Sequence, residues 1–317
     1  MKRISRILPS RLRKNDLIGL VTPGSAIKDA QLEETVNKLE GLGYRVLYKD
    51  SVLDEYGYLA GKDADRAAEL MLMFANKEVD AILCVRGGYG AVRLLGLLDY
   101  GLIGQNPKLL LGYSDITALH AAIYKKTGLV GFYSPMGVSD FNSFTVDSFN
   151  HLVAEPSGTY KYGYKREENT IRNPEFDIYT LNPGVAEGDL AGGNISVLES
   201  LIGTGYEPDF KDKIVYLEEV DEKTYKVDKM LFHLLSATKL KHAAGIVMGV
   251  FKNCNINEEP SLGLRQALHD LLSMYDMPIS YGLPFGHIDY KISIPFGIKA
   301  RLNANENSLE LLEKAVL

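Results

Sequence analysis

In the first half of the chain, short unbroken apolar runs alternate with longer segments whose apolar residues recur every three or four positions. Residues 17–21 form one such run, ending in Thr22-Pro23-Gly24-Ser25. The segment after it sets Leu32, Val36 and Leu39 on one stripe and stops at Gly43. The same pattern predicts strands at 45–48, 79–85, 109–111 and 129–132, and helices at 63–76, 90–98 and 115–126. Unbroken apolar strands interleaved with amphipathic helices imply a parallel sheet covered on both faces. Ligands of such sheets bind beyond the carboxyl ends of the strands.

The texture changes over 151–183, where Tyr160, Tyr162, Tyr164, Lys165, Arg166, Glu167 and Glu168 crowd together with Pro156 and Gly158, the composition of a linker or flap. Beyond it, strands are predicted at 214–220, 244–250, 279–281, 292–302 and 309–312, with helices at 227–237 and 262–274 and a turn over 303–307. The expected organisation is a parallel α/β domain over 1–150, a linker or flap over 151–183 and a mixed α/β domain over 184–317. A length of 317 residues suits two domains.

Composition narrows the partners. Lys and Arg number 35 against 41 Asp and Glu, a net charge of −6, so no basic footprint points to nucleic acid or an anionic membrane. The two cysteines, Cys84 and Cys254, lie in apolar stretches and are too few for a disulfide framework. Lys2, Arg3, Arg6, Arg11, Arg13 and Lys14 make the N-terminus basic, but no uninterrupted apolar stretch follows them. The richest apolar region, 94–111, is broken by Asp99, Gln105, Asn106 and Lys108. A soluble, cytoplasmic protein is expected.

Several loops could carry chemistry. Gly112-Tyr113-Ser114-Asp115 sets a serine between a buried strand and a helix, where a tight turn exposes a nucleophile and aims the following backbone N–H groups at an oxyanion. Ile116 stands where G-x-S-x-G has its second glycine, and on this segment alone a helix cap by Ser114 or Asp115 is the favoured reading. Arg86-Gly87-Gly88-Tyr89-Gly90 follows an apolar strand; it is either a tight turn or a close backbone approach to a ligand, with the Gly88 amide as an oxyanion donor. Among six histidines, His120, His233 and His269 fall on helical patterns that suit packing or surface positions, and His151 and His242 have no evident partner. His287 lies in the loop Pro284-Phe285-Gly286-His287-Ile288-Asp289. Glu218 and Glu219 end an apolar strand, whose alternation predicts one carboxylate facing a pocket and the other facing solvent. No H-E-x-x-H or C-x-x-C spacing occurs, so no metal is expected.

Taken in order, Arg86-Gly87-Gly88-Tyr89-Gly90, Gly112-Tyr113-Ser114-Asp115, Gly188-Asp189-Leu190-Ala191-Gly192-Gly193-Asn194, Leu217-Glu218-Glu219-Val220 with Tyr225 and Asp228, and Gly286-His287 resemble the LD-carboxypeptidases, serine peptidases of murein tetrapeptide recycling. The resemblance runs from about residue 17 to 300. It implies a flavodoxin-like, class I glutamine amidotransferase-like N-terminal domain and a smaller, swivelling β/β/α C-terminal domain. It also implies a Ser-His-Glu triad at Ser114, His287 and Glu218, a cytoplasmic homodimer, and no cofactor.

In that triad the imidazole takes the serine proton and the carboxylate holds its tautomer, with Gly88 and Asp115 N–H groups as oxyanion donors. Nucleophile and base come from different domains, so the site is expected in the cleft between them. The implied reaction is release of terminal D-alanine from murein tetrapeptide. A second possibility is similar to the microcin C self-immunity peptidases, which cleave a peptidyl-nucleotide; a third, of another class, is a non-catalytic two-domain ligand-binding protein. One departure is visible: the family usually has His-Gly-Pro-Met where this chain has Tyr133-Ser134-Pro135-Met136.

Overall fold

The computed structural model describes residues 5–163, 174–255 and 261–317. The chain divides into two compact units, one of residues 1–156, 293–297 and 314–317, the other of residues 157–292 and 298–313.

The apolar runs of the first unit become the strands β1 (Leu17–Val21), β2 (Arg45–Leu47), β3 (Ala81–Cys84), β4 (Leu109–Gly112) and β5 (Phe132–Tyr133), all mutually parallel. With the late strand β12 (Ile294–Pro295), antiparallel to β5, they form a six-stranded sheet in the order β12-β5-β4-β3-β1-β2. Every residue of β1, β3 and β4 is buried, as expected where helices cover both faces. The helices are α1 (Asp29–Gly41), α2 (Asp63–Ala75), α3 (Tyr100–Gln105), α4 (Thr117–Thr127) and α5 (Ser143–Val153).

Two expectations fail here. The helix foreseen at 90–98 is only a 3-10 turn, Ala91–Leu94, because Gly90 (φ 135°) opens it and Asp99 then caps a separate helix, α3, by accepting from Leu102 N–H. The strand foreseen at 129–132 begins only at Phe132, since the Leu129 amide turns to the Thr127 hydroxyl.

The second unit is built on an eight-stranded mixed sheet in the order β6-β14-β13-β8-β9-β10-β11-β7. Its strands are β6 (Tyr160–Lys161), β7 (Tyr179–Asn182), β8 (Val185–Asn194), β9 (Lys213–Val220), β10 (Gly245–Lys252), β11 (Ile279–Tyr281), β13 (Lys299–Asn303) and β14 (Ser308–Leu311). The central four, β8 to β11, run parallel, and β6, β7, β13 and β14 pair antiparallel to their neighbours. The helices α6 (Ile195–Ser200), α7 (Thr224–Ala237) and α8 (Leu264–Leu272) belong to this unit.

The boundaries expected from composition are redrawn. Residues 151–153 close α5 of the first unit, while β6 and β7 make 160–161 and 179–182 part of the second sheet. Tyr162 is buried there, edge to face with Tyr160 at 5.0 Å between ring centres, so aromatic packing claims residues whose polar neighbours suggested a linker. Tyr164, Lys165, Arg166, Glu167 and Glu168 lie outside the described residues. The strand expected at 292–302 is divided: Gly297 (φ 88°) breaks the run, leaving β12 in the first sheet and β13 in the second.

Candidate active site

In the first unit, the carboxyl ends of β1, β3 and β4 lead into three loops. After β4 the chain turns sharply. Gly112 has φ 157°, and a Cβ there would lie 2.9 Å from the Ile116 side chain. Ser114 has φ 62°, a left-handed conformation that costs a non-glycine residue of order 1 kcal/mol and is held only by its surroundings. The Ser114 N–H donates to the Tyr133 hydroxyl at 3.4 Å, so the tyrosine that departs from the family pattern lies under the turn. Below it, buried His120 donates from Nε2 to the Gly112 carbonyl at 2.9 Å, and burial pushes its pKa down to about 4, keeping the ring neutral. His120 is a packing residue of the turn, as its helical position suggested.

The glycine-rich loop at 86–90 packs directly on this turn. A Cβ on Gly87 would lie 3.2 Å from Ser114 Cβ and 3.3 Å from the Asp115 nitrogen, so only glycine permits the approach without displacing them. Ser25 fixes the loop from the β1 side: its N–H donates to the Gly87 carbonyl at 2.9 Å and its Oγ accepts from Tyr89 N–H at 3.2 Å. Neither Gly88 N–H nor Asp115 N–H has a hydrogen-bond partner among the described residues.

Asp115 does not cap the helix. Neither the 3-10 turn Ser114–Ile116 nor α4 has a side-chain cap; the Asp115 carboxylate is buried and accepts from Ala91 N–H at 2.8 Å. Burial pushes its pKa up to about 6, against the opposing pull of the Ala91 amide, the Arg66 guanidinium and the Gly90 amide.

In the second unit, β9 ends in the two glutamates and the loop after β11 brings His287 to the first of them. His287 Nδ1 lies 2.8 Å from Glu218 Oε2. An ionised carboxylate only accepts, so the shared proton sits on Nδ1 and Nε2 is left as the basic nitrogen. Glu218 is 0% exposed whereas the His287 side chain keeps 20% of its surface. Gly286 (φ 110°) makes the contact possible, because a Cβ there would lie 2.8 Å from Glu218 Oε2.

Glu219 departs from the expectation of a solvated side chain. It is buried, with Oε2 accepting from Ser196 N–H at 2.8 Å and Oε1 accepting from Asn194 Nδ2 at 2.9 Å and from its neighbour Val220 N–H at 3.0 Å. Burial, and then the Glu218 charge, raise its pKa above the ordinary carboxylate value. The alternation rule fails because both carboxylates reach the end of β8, where Asn194 Nδ2 also donates to Glu218 Oε1 at 3.1 Å. Asn194 simultaneously caps α6, its Oδ1 accepting from Val197 N–H at 3.2 Å.

The structure thus groups Ser114 with Gly88 and Asp115 in one unit and Glu218 with His287 in the other. Tyr225 and Asp228 lie on exposed positions of α7. Asn194 and Tyr133 stand in sequence segments that gave them no role, and the sequence offered Asp115 as a helix cap or a backbone donor, not as a buried acceptor for Ala91. Of these only Asn194 left a local sign, an asparagine just before a helical run. Among the described residues no group of His, Cys, Asp and Glu is arranged to hold a metal ion, and no helix is long and apolar enough to cross a membrane.

A parallel α/β unit followed by a mixed one, with a serine at a strained strand-to-helix turn in the first, defines a two-unit α/β protein of the kind that hosts hydrolases. Residues 18–134 match the LD-carboxypeptidase N-terminal domain and residues 187–302 the LD-carboxypeptidase C-terminal domain, so the chain belongs to the LD-carboxypeptidase family, a family of peptidases. It is 39% identical over 306 residues to a probable murein peptide carboxypeptidase of Bacillus subtilis, covering 95% of this chain and 92% of that protein. Its fold is similar to that of the muramoyltetrapeptide carboxypeptidase of Oxalobacter formigenes, with a TM-score of 0.79, 28% identity, and coverage of 93% and 97% of the two chains. The microcin C7 self-immunity protein MccF, solved in complex with aspartyl sulfamoyl adenosine, shares the fold at a TM-score of 0.89 and 24% identity, covering 98% of this chain and 100% of that one.

Proposed function

We propose that the chain is a serine carboxypeptidase that hydrolyses an L,D amide bond and releases the terminal D-alanine of murein tetrapeptide. The observation that carries this assignment is the His287 and Glu218 pair, an imidazole whose Nδ1 is held at 2.8 Å by a fully buried carboxylate, in a member of this peptidase family. Ser114 Oγ attacks the scissile carbonyl as its proton passes to His287 Nε2, and Glu218 stabilises the imidazolium that forms. The tetrahedral oxyanion is received by the N–H groups of Gly88 and Asp115, both lacking partners within the described residues. His287 then returns the proton to the leaving amine, and water repeats the sequence on the acyl-enzyme. The reading carries with it a cytoplasmic homodimer acting in peptidoglycan recycling without metal or cofactor. The names of the murein peptide relatives favour this substrate over a peptidyl-nucleotide.

Mass-spectrometric identification of the products formed from purified murein tetrapeptide tests the assignment. Free D-alanine and the tripeptide are expected, and their production should fall at least about 10⁴-fold in Ser114→Ala, with folding unchanged. Cleavage of a peptidyl-nucleotide alone would overturn the substrate, and a Ser114→Ala enzyme near wild-type rate would overturn the nucleophile.

A further inference from the structure

The glycine-rich loop at 86–90 contains three glycines among five residues, a composition that gives the backbone many accessible conformations. An oxyanion donor needs the opposite. Its N–H must already point at the place where charge develops, or reorganising it consumes the stabilisation. What restrains the loop is therefore a functional question, and three contacts answer it. Ser25 holds Gly87 O and Tyr89 N–H from one side, and Asp115 Oδ2 holds Ala91 N–H from the other at 2.8 Å. Between these anchors Gly88 (φ 85°) leaves its N–H unused among the described residues.

We infer that Asp115 is a positioning residue that couples the two oxyanion donors: its own N–H is one of them, and its carboxylate tethers the loop that presents the other, Gly88. This rests on the serine peptidase assignment above. Three features set the carboxylate apart from an ordinary helix-start aspartate. It makes no cap bond to the 3-10 turn in which it lies or to α4 beyond it. It is 2% exposed, a costly place for a charge unless fixed partners need it there. It also reaches the neighbouring loops: a Cβ on Gly24 would lie 2.7 Å from Asp115 Oδ2 and 2.3 Å from the Gly87 carbonyl oxygen, so the loops after β1, β3 and β4 converge on this one group. The nearby Arg66 guanidinium is itself buried and donates to the Pro23 carbonyl and to Asp63, supplying the compensating cation. The tether spans the strand order β4-β3-β1, binding three consecutive carboxyl ends into one rigid frame.

Two variants and two readouts test the tether. Asp115→Ala removes the acceptor, and with murein tetrapeptide as substrate it should lower kcat about 10²-fold, the usual cost of one misplaced oxyanion donor, while KM changes less than about threefold. Asp115→Asn keeps one acceptor oxygen for Ala91 and should recover about tenfold or more of that loss. Amide hydrogen exchange on the same proteins reads the tether without turnover: the Ala91 amide should exchange at least about tenfold faster in Asp115→Ala, with the β4 amides unchanged. Unaltered exchange at Ala91 overturns the inference whatever the substrate, as does a folded Asp115→Ala enzyme with wild-type kcat or with its loss confined to KM. A wild-type protein that releases no D-alanine, alongside accelerated exchange in Asp115→Ala, would instead sink the function assignment and with it the catalytic purpose of the tether.

Discussion

The two units meet the same need, placing polar groups where solvent cannot solvate them fully, by opposite means. The first works with backbone. Its serine has a left-handed φ, its neighbours are glycines at positions that no side chain could occupy without moving others, and one buried aspartate is held above its ordinary pKa. The second works with side chains: two buried glutamates, an asparagine and a histidine joined by contacts of 2.8 to 3.1 Å, with the carboxylates supplied with donors. A backbone site depends on local strain and packing, whereas a side-chain network depends on satisfying every acceptor. The same kind of substitution should therefore be felt most in turnover in the second unit and most in stability in the first.

Replacing a carboxylate by its amide shows this most strongly in the second unit. Glu218→Gln puts an amide against His287 Nδ1, where it cannot stabilise an imidazolium, and turnover should fall about 10³-fold or more. Glu219→Gln, connected to the ring only through Asn194 and Glu218, should cost no more than about tenfold. Parallel steady-state kinetics decides the order, and a larger loss in Glu219→Gln would mean that the wrong acid has been placed in the triad.

In the first unit the same exchange should stabilise. The Asp115 pKa rises from an ordinary 3.8 to about 6 on folding. The folded chain therefore holds a proton that the unfolded chain releases between those values, and stability falls as pH rises through that window. At about 1.4 kcal/mol per unit, burial of the charged form costs up to about 3 kcal/mol above pH 6. Asp115→Asn should be more stable than wild type at pH 7 and lose that advantage below pH 4, as read by urea unfolding across pH. A difference independent of pH would show that the carboxylate is not buried as a charge, and greater stability with lower kcat would mark a site where function opposes folding.

A smaller effect separates structure from chemistry in the side-chain network. Asn194→Ala removes the cap of α6 and one donor from each glutamate, and should destabilise the protein by roughly 1–3 kcal/mol. If thermal unfolding shows no change, the network does not support the second unit. The smallest expected effect is none: dialysis against a chelator should leave the rate unchanged, and a loss reversed by added metal would refute hydrolysis by the serine alone.

How much of this was legible in the sequence depended on range. Strands buried on both faces leave unbroken apolar runs, and 17–21 and 279–281 coincide with β1 and β11. The long strand β8 left no such run, because Gly188, Ala191, Gly192 and Gly193 give it little side chain to read; a Cβ on Gly192 would lie 1.9 Å from the Tyr216 carbonyl oxygen. At the site, residue type and loop position offered Ser114, the Glu218-Glu219 pair and His287 as candidates, and the resemblance to the family assigned their roles. The burial of Glu219 and the bond from Ala91 to Asp115 depend on partners 20 or more residues away, which no local pattern displays.

The two-residue strand β12 sets a timetable for synthesis. It covers the β5 edge of the first sheet, yet follows that edge in the chain by some 160 residues. At translation speeds of about 5–20 residues per second, the nascent first unit waits roughly ten to thirty seconds with β5 open. During that interval an unpaired strand bearing Phe132 and Tyr133 is available to any other extended chain nearby. The first sheet is therefore finished last at this border, and crowded expression should favour aggregates seeded from it over failures of the second unit.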